Sequence, residues 1–179
     1  SSTTPALSVL APVHDYVQHF NDEATAAFAA DNPTAEEIIY QSFYDVPVTK
    51  NSHVHPSVLS GVHFNNIPSH ELALFVGMIV VCLRNISPAR RICNGTLMRV
   101  HKLRPNHIVC TRWDEEHLPP EEREQITIFR IPFTINVRNV KAARKQFPIV
   151  AGYACTINKS QGKTLEGPVT IDLRHPVFC

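Results

Sequence analysis

Nine consecutive residues, Thr156-Ile157-Asn158-Lys159-Ser160-Gln161-Gly162-Lys163-Thr164, gather the side chains best suited to chemistry in this 179-residue chain. Almost every one can hydrogen-bond, and Gly162 lets the backbone come close to a ligand. An apolar run over residues 147–151 leads into the loop, and a second, Val169-Thr170-Ile171-Asp172-Leu173, follows it. Apolar run, polar glycine-containing loop, apolar run is how an α/β domain places chemistry at the carboxyl end of a strand. Such a loop suits phosphate, whether from a nucleotide or from a nucleic-acid backbone.

Gly162-Lys163-Thr164 spells the end of a P-loop, but that motif needs a further glycine five residues before its Gly-Lys pair. Ile157 occupies that position. Without the glycine the backbone does not wrap a triphosphate in a nest of amides, so a P-loop is rejected. The chain also lacks an apolar strand ending in an adjacent acidic pair, and phosphoryl transfer needs both a phosphate cradle and a metal carboxylate. No catalytic residue and no metal site is therefore assigned. His53, His55, His63 and His70 have no cysteine or paired carboxylate at ligand spacing and read as loop histidines.

With 17 basic and 16 acidic residues the net charge is +1, so a nucleic-acid contact must be a local patch. Arg138, Lys141, Arg144 and Lys145, just before Phe147, form the one such basic cluster. It reads either as a solvated face or, beside the polar loop, as a phosphate-contacting patch. Cysteines 82, 93, 110, 155 and 179 form no C-x-x-C pair, which reads as reduced, intracellular thiols. Three Asn-x-Ser/Thr triplets, at Asn85, Asn94 and Asn158, read as chance. No run is long enough to span a bilayer, and membrane partners are not expected.

The elements that must position the loop follow in chain order. Residues 6–11 form a short apolar strand. Val13, Val17, Phe20, Ala24, Ala27 and Phe28 then fall at helical spacing, so a helix runs to about Ala30, stopped by Asp31-Asn32-Pro33. Residues 38–42 are a strand, and residues 50–69, rich in proline, histidine and asparagine, read as a surface linker. An all-β stretch begins near Glu71. Met78 to Leu83 is a continuous apolar run. Asn94-Gly95 is a strong turn signal before a strand at 97–103, and strands at 107–112 and 125–131 flank the acidic loop 114–124. About five short strands make a small barrel.

Taken together, these residues resemble the Pif family of superfamily-1 5′-to-3′ DNA helicases and the related Helitron helicases. The loop resembles their motif V, written TINKSQG or a near variant, with Gln146-Phe147-Pro148 before it and Asp172-Leu173 and Pro176-Val177-Phe178 after it. Ala11-Pro12 and Phe20-Asn21 resemble motif IV, although Val13-His14 replaces its Thr-Asn and so loses a hydroxyl and an amide where a helix N-terminus favours phosphate. Val76-Gly77, Leu83-Arg84-Asn85, Cys93-Asn94-Gly95-Thr96 and Arg130-Ile131-Pro132 resemble the SH3-like 2B insert.

The resemblance implies an α/β fold: a partial RecA-like domain 2A, with parallel sheet and helices, interrupted by a small all-β SH3-like barrel. Its parts would be residues 1–50, a linker at 51–70, the barrel at 71–135 and the rest of 2A at 136–179. It implies a fragment of an ATP-dependent helicase that couples nucleotide state to grip on single-stranded DNA. The first RecA-like domain would lie upstream, and the arginine motif VI would follow Cys179. Thr156, Asn158, Lys159 and Ser160, with Lys141, Arg144 and Lys145, would contact DNA. Gln161, Gly162 and Lys163 would face the nucleotide. ATP and Mg would be bound mainly by the missing first domain, itself a partner. The setting would be nuclear or mitochondrial, in replication, repair, recombination, telomere maintenance or Helitron transposition. The competing reading is a non-catalytic single-stranded nucleic-acid-binding module derived from such a helicase.

Overall fold

The computed structural model of the chain describes residues 9–11, 14–45, 59–62, 64, 66–137, 140–156 and 170–171. In chain order the first elements are β1 (Val9–Ala11), α1 (His14–Asp31), β2 (Glu37–Gln41), β3 (Phe43–Asp45), β4 (Glu71–Phe75), β5 (Ile79–Cys82) and β6 (Leu97–Leu103). They are followed by β7 (His107–Arg112), β8 (Ile126–Phe129), β9 (Ile131–Val137), β10 (Val140–Gln146), β11 (Ile149–Ala151), β12 (Ala154–Thr156) and β13 (Thr170–Ile171). Among the described residues the fold is mixed, mostly sheet with one long helix.

A parallel sheet, ordered β12-β1-β13, carries the two strands that flank the polar loop. Helix α1 packs on it. Asn21, buried in that contact, accepts the backbone N–H groups of Tyr153 (3.0 Å) and Ala154 (2.9 Å) through its Oδ1. One amide thus satisfies two buried donors in the turn before β12.

The largest sheet is antiparallel, ordered β11-β5-β6-β7-β8. It differs from the expected barrel in two ways. Its hydrogen bonding leaves β8 and β11 as edges, without closing them on each other. Its fifth strand comes from the apolar run before the polar loop, with Ile149 opposite Cys82 and Ala151 opposite Val80. That run therefore does not lead straight into the parallel sheet. It ends on the antiparallel sheet, and the chain crosses to the parallel one at Gly152-Tyr153. A side chain at 152 would stand 3.0 Å from both Leu97 Cδ2 and the Val80 carbonyl carbon, so only glycine makes the crossing this close. Gly152 N–H donates to Ile79 O (3.0 Å), and Ile79 N–H donates to Tyr153 Oη (3.2 Å).

The strand at 38–42 also lies elsewhere than expected. As β2 it pairs antiparallel with β4, and β3 pairs antiparallel with β10, so neither joins the parallel sheet. The residues expected to be a linker are packed where they are described. Leu59 is fully buried with Ile135, Val137 and Ala142, and Val62, Phe64 and Ile67 lie against them. The long hairpin of β9 and β10, which forms the floor under this segment, was not foreseen. Its registered pairs run from Val140↔Val137 to Gln146↔Ile131.

The acidic loop is fastened down. Buried Arg112 bonds the Glu115 carboxylate and lies 3.1 Å from Asp114 Oδ1, while Glu115 Oε2 accepts the Glu124 N–H at 2.9 Å. Cys82, Cys93, Cys110 and Cys155 are free thiols, and burial pushes Cys110 up to about 12, so that thiol stays neutral.

The turn joining Cys93 to Thr96 closes with a 3.0 Å backbone bond, and Gly95 holds φ at +91° while its N–H donates to Cys82 O at 2.7 Å. A β-branched residue resists that conformation. Gly95→Val is expected to destabilise the chain by about 1 kcal/mol or more, read as a lowered thermal midpoint. An unchanged melt would contradict it.

Candidate nucleic-acid interface

The parallel pairing sets Val9 beside Ala154, Leu10 beside Cys155 and Ala11 beside Thr156. The carboxyl ends of β1 and β12 therefore lie side by side, and α1 starts just past the end of β1. In open α/β sheets ligands bind in the crevice outside such strand ends. Thr156 is the last residue of β12 and is buried. It is the one residue of the polar loop inside the described part of the chain. Asn158, Lys159, Ser160, Gln161, Gly162 and Lys163 lie outside it.

A cavity of about 560 Å³ opens at this corner. Three parts of the chain make its walls. The first turns of α1 contribute Asp15, Gln18 and Asp22. The segment before β4 contributes Phe64, Asn66 and Ile67. The antiparallel sheet and the strand end contribute Val81, Val150, Ala151 and Thr156. Among the described residues that line it there is no lysine or arginine, and two carboxylates stand at one lip. The cavity is thus fitted for polar neutral contacts and for apolar faces such as bases, while phosphate charge would have to be met from elsewhere.

The basic cluster does not meet it as one patch. Strand β10 alternates, so Lys141 and Lys145 point to solvent while Arg144 and Gln146 point inward. Lys145 Nζ lies 3.8 Å from Asp45 Oδ2, an exposed pair across the β3–β10 ladder. Arg144 is fully buried. Its Nη1 donates to Pro68 O (3.0 Å), and its Nη2 donates to Leu59 O (2.7 Å) and Val62 O (2.9 Å). This corrects the placing of Arg144 among DNA contacts, because a guanidinium enclosed by carbonyls cannot reach a phosphate. His70, from the histidine-rich stretch, bonds Ser42 Oγ through Nδ1 at 2.8 Å.

Sequence reasoning missed Asn21 as the amide docking α1, and Phe64, Asn66 and Ile67 as wall residues. The signal for the hairpin beneath them was available: Ile131, Phe133, Ile135 and Val137 alternate strictly with polar or exposed neighbours. Reading β10 as a strand would have divided the basic cluster at once.

Residues 58–103 match the family model for the 2B domain of DNA helicase Pif1. Over that stretch the chain is similar to the Pif1 2B domain. The match takes in the packed segment before β4 and ends with β6. The fold of almost the whole chain is similar to Pif1 helicases. Pif1 helicase from Candida albicans superposes with a TM-score of 0.65 at 18% identity, covering 97% of this chain and 41% of that one. Pif1 from Bacteroides in complex with ADP-AlF3 and single-stranded DNA gives 0.64 at 20%, covering 98% and 36%. Bacteroides Pif1 bound to single-stranded DNA gives 0.61 at 21%, covering 94% and 35%. The chain spans 35–41% of the length of these proteins. No curated protein matches it.

Removing the Asn21 amide leaves two buried N–H groups without an acceptor at the edge of the cavity. An orphaned buried donor costs about 1–3 kcal/mol. Asn21→Ala is therefore expected to destabilise the chain by roughly 2 kcal/mol or more, measured by urea denaturation. A loss under about 0.5 kcal/mol, the range of an ordinary surface change, would contradict the docking role.

Proposed function

We propose that the chain is the 2A domain of an ATP-dependent 5′-to-3′ DNA helicase, RecA-like in its parallel sheet, carrying its 2B domain. It is the part that couples nucleotide state to grip on single-stranded DNA. The observation that carries this reading is the meeting of two features at one corner. The polar loop leaves β12 at Thr156 beside the end of β1, and the cavity there is walled by residues of the 2B domain. The Bacteroides relatives are complexes with single-stranded DNA, one of them also with ADP-AlF3. Those ligand classes are carried over to this chain as part of the proposal.

Thr156, Asn158 and Ser160 then offer neutral donors to the DNA backbone, and Lys159 offers the nearest charge. Gln161, Gly162 and Lys163 face the nucleotide cleft, where ATP and Mg are held chiefly by a first RecA-like domain. Nothing in this sequence supplies the phosphate cradle or the acidic pair that hydrolysis needs. The 179-residue chain alone is accordingly expected to show no DNA-stimulated ATP hydrolysis with magnesium. Turnover that survives repurification would overturn the assignment of the cradle to another domain.

The same chain is expected to bind a labelled oligothymidine weakly and with little sequence preference. Of the loop's two lysines this reading sets only Lys159 on the DNA. At a slope of roughly −0.7 for each neutralised phosphate of a single strand, that one contact gives a log–log salt slope of about −0.7. Converting Lys141 and Lys145 to Gln together should leave that slope unchanged in fluorescence anisotropy. A steeper slope that falls when these two charges are removed would place the DNA on the outer face of β10 instead.

A further inference from the structure

Arg144 looks by sequence like a member of a basic cluster, yet it is fully buried, the bulkiest of the fully buried side chains in the described structure. A buried cation is costly unless it is hydrogen-bonded. Its partners are not carboxylates. They are three main-chain carbonyls, of Leu59, Val62 and Pro68, from a single short segment. Its carbon Cζ also lies 5.4 Å from the ring centroids of both Tyr44 and Phe64. The next inward residue of β10 continues the pattern: Gln146 Nε2 donates to Tyr40 O and His70 O, each at 3.1 Å, and its Oε1 accepts the Phe147 N–H.

We propose that Arg144 is a positioning residue for the nucleic-acid cavity. Its fork fixes the course of residues 59–68, and so sets Phe64, Asn66 and Ile67 as the wall opposite Thr156. The proposal rests on the reading of that cavity as the DNA site. The chemistry is specific to the guanidinium. Nη1 and Nη2 diverge in one plane and reach carbonyls at the two ends of the segment, from Leu59 to Pro68. A lysine ammonium is a point charge on a flexible stem and does not span them. The contact acts by shape, and its charge never meets the ligand.

The test uses the whole chain with Arg144→Met, Arg144→Lys and Phe64→Ala. Two readouts separate this role from a phosphate contact and from general stability. The first is hydrogen–deuterium exchange of peptides covering residues 59–69 without DNA. The second is oligothymidine affinity at several salt concentrations. In both Arg144 variants exchange in 59–69 should rise while the protection of β6 and β7 is kept. Affinity should fall several-fold, with the log–log salt slope the same as in the parent chain. Phe64→Ala, which leaves the fork in place, should weaken binding at the same slope and decides the matter if neither Arg144 variant folds. Unchanged exchange at 59–69, parent-like affinity of the Lys variant, or a slope shallower by about 0.7 would overturn the proposal. So would parent-like affinity of Phe64→Ala. If the parent chain binds no oligothymidine, the DNA reading fails, and the exchange result alone decides whether Arg144 positions the segment.

Discussion

A carbonyl taken out of water needs a donor, and Leu59, Val62 and Pro68 turn theirs to the interior. Strand β10 meets that need with Arg144, whose fork reaches all three, while Gln146 adds a second donor to the His70 carbonyl, which also accepts the Ser42 N–H at 2.8 Å. The rest of the architecture hangs on this. Because the segment lies flat on the β9–β10 hairpin, Leu59 joins Ile135, Val137 and Ala142 in a small second core. Because it is held there, its other residues stand as a wall facing α1 and the end of β12. The local composition, proline and histidine with few regular hydrogen bonds, is what makes side-chain donors necessary.

The second constraint is the crossing at Gly152. Ile149 to Ala151 complete the antiparallel sheet, Gly152 touches Val80 and Leu97, and Ala154 to Thr156 complete the parallel sheet. A change in how β11 sits on β5 therefore moves the root of the polar loop by direct covalent connection, over a span of only a few residues. This is a short mechanical path between the antiparallel sheet and the loop proposed to sense nucleotide. Asn21 ties the same turn to α1, so helix, antiparallel sheet and loop root share one joint.

Much of this was legible in the sequence where a local rule was strong. The bounds of β6 and β7 follow from turn signals and apolar runs, and the span of α1 from helical spacing. What failed did so for physical reasons. Lys141, Arg144 and Lys145 look alike as a charge cluster, and only the period of the strand separates two exposed lysines from a buried arginine. The run at 147–151 has the composition of a strand but nothing in it says which sheet it joins, since partner choice is a tertiary property. Leu59, Val62, Phe64 and Ile67 sit among residues typical of loops, and their burial depends on a hairpin far along the chain, β9 and β10.

Single-stranded DNA is proposed to lie at the corner where β1, β12 and the wall of Phe64, Asn66 and Ile67 meet. The most direct measurement is photo-crosslinking of the chain to an oligothymidine carrying 4-thiothymidine, with the attachment sites mapped by mass spectrometry. Crosslinks within residues 64–69 and in the stretch from Cys155 through Lys163 are the predicted result. Crosslinks confined to the outer face of β10, at Lys141 and Lys145, would contradict it.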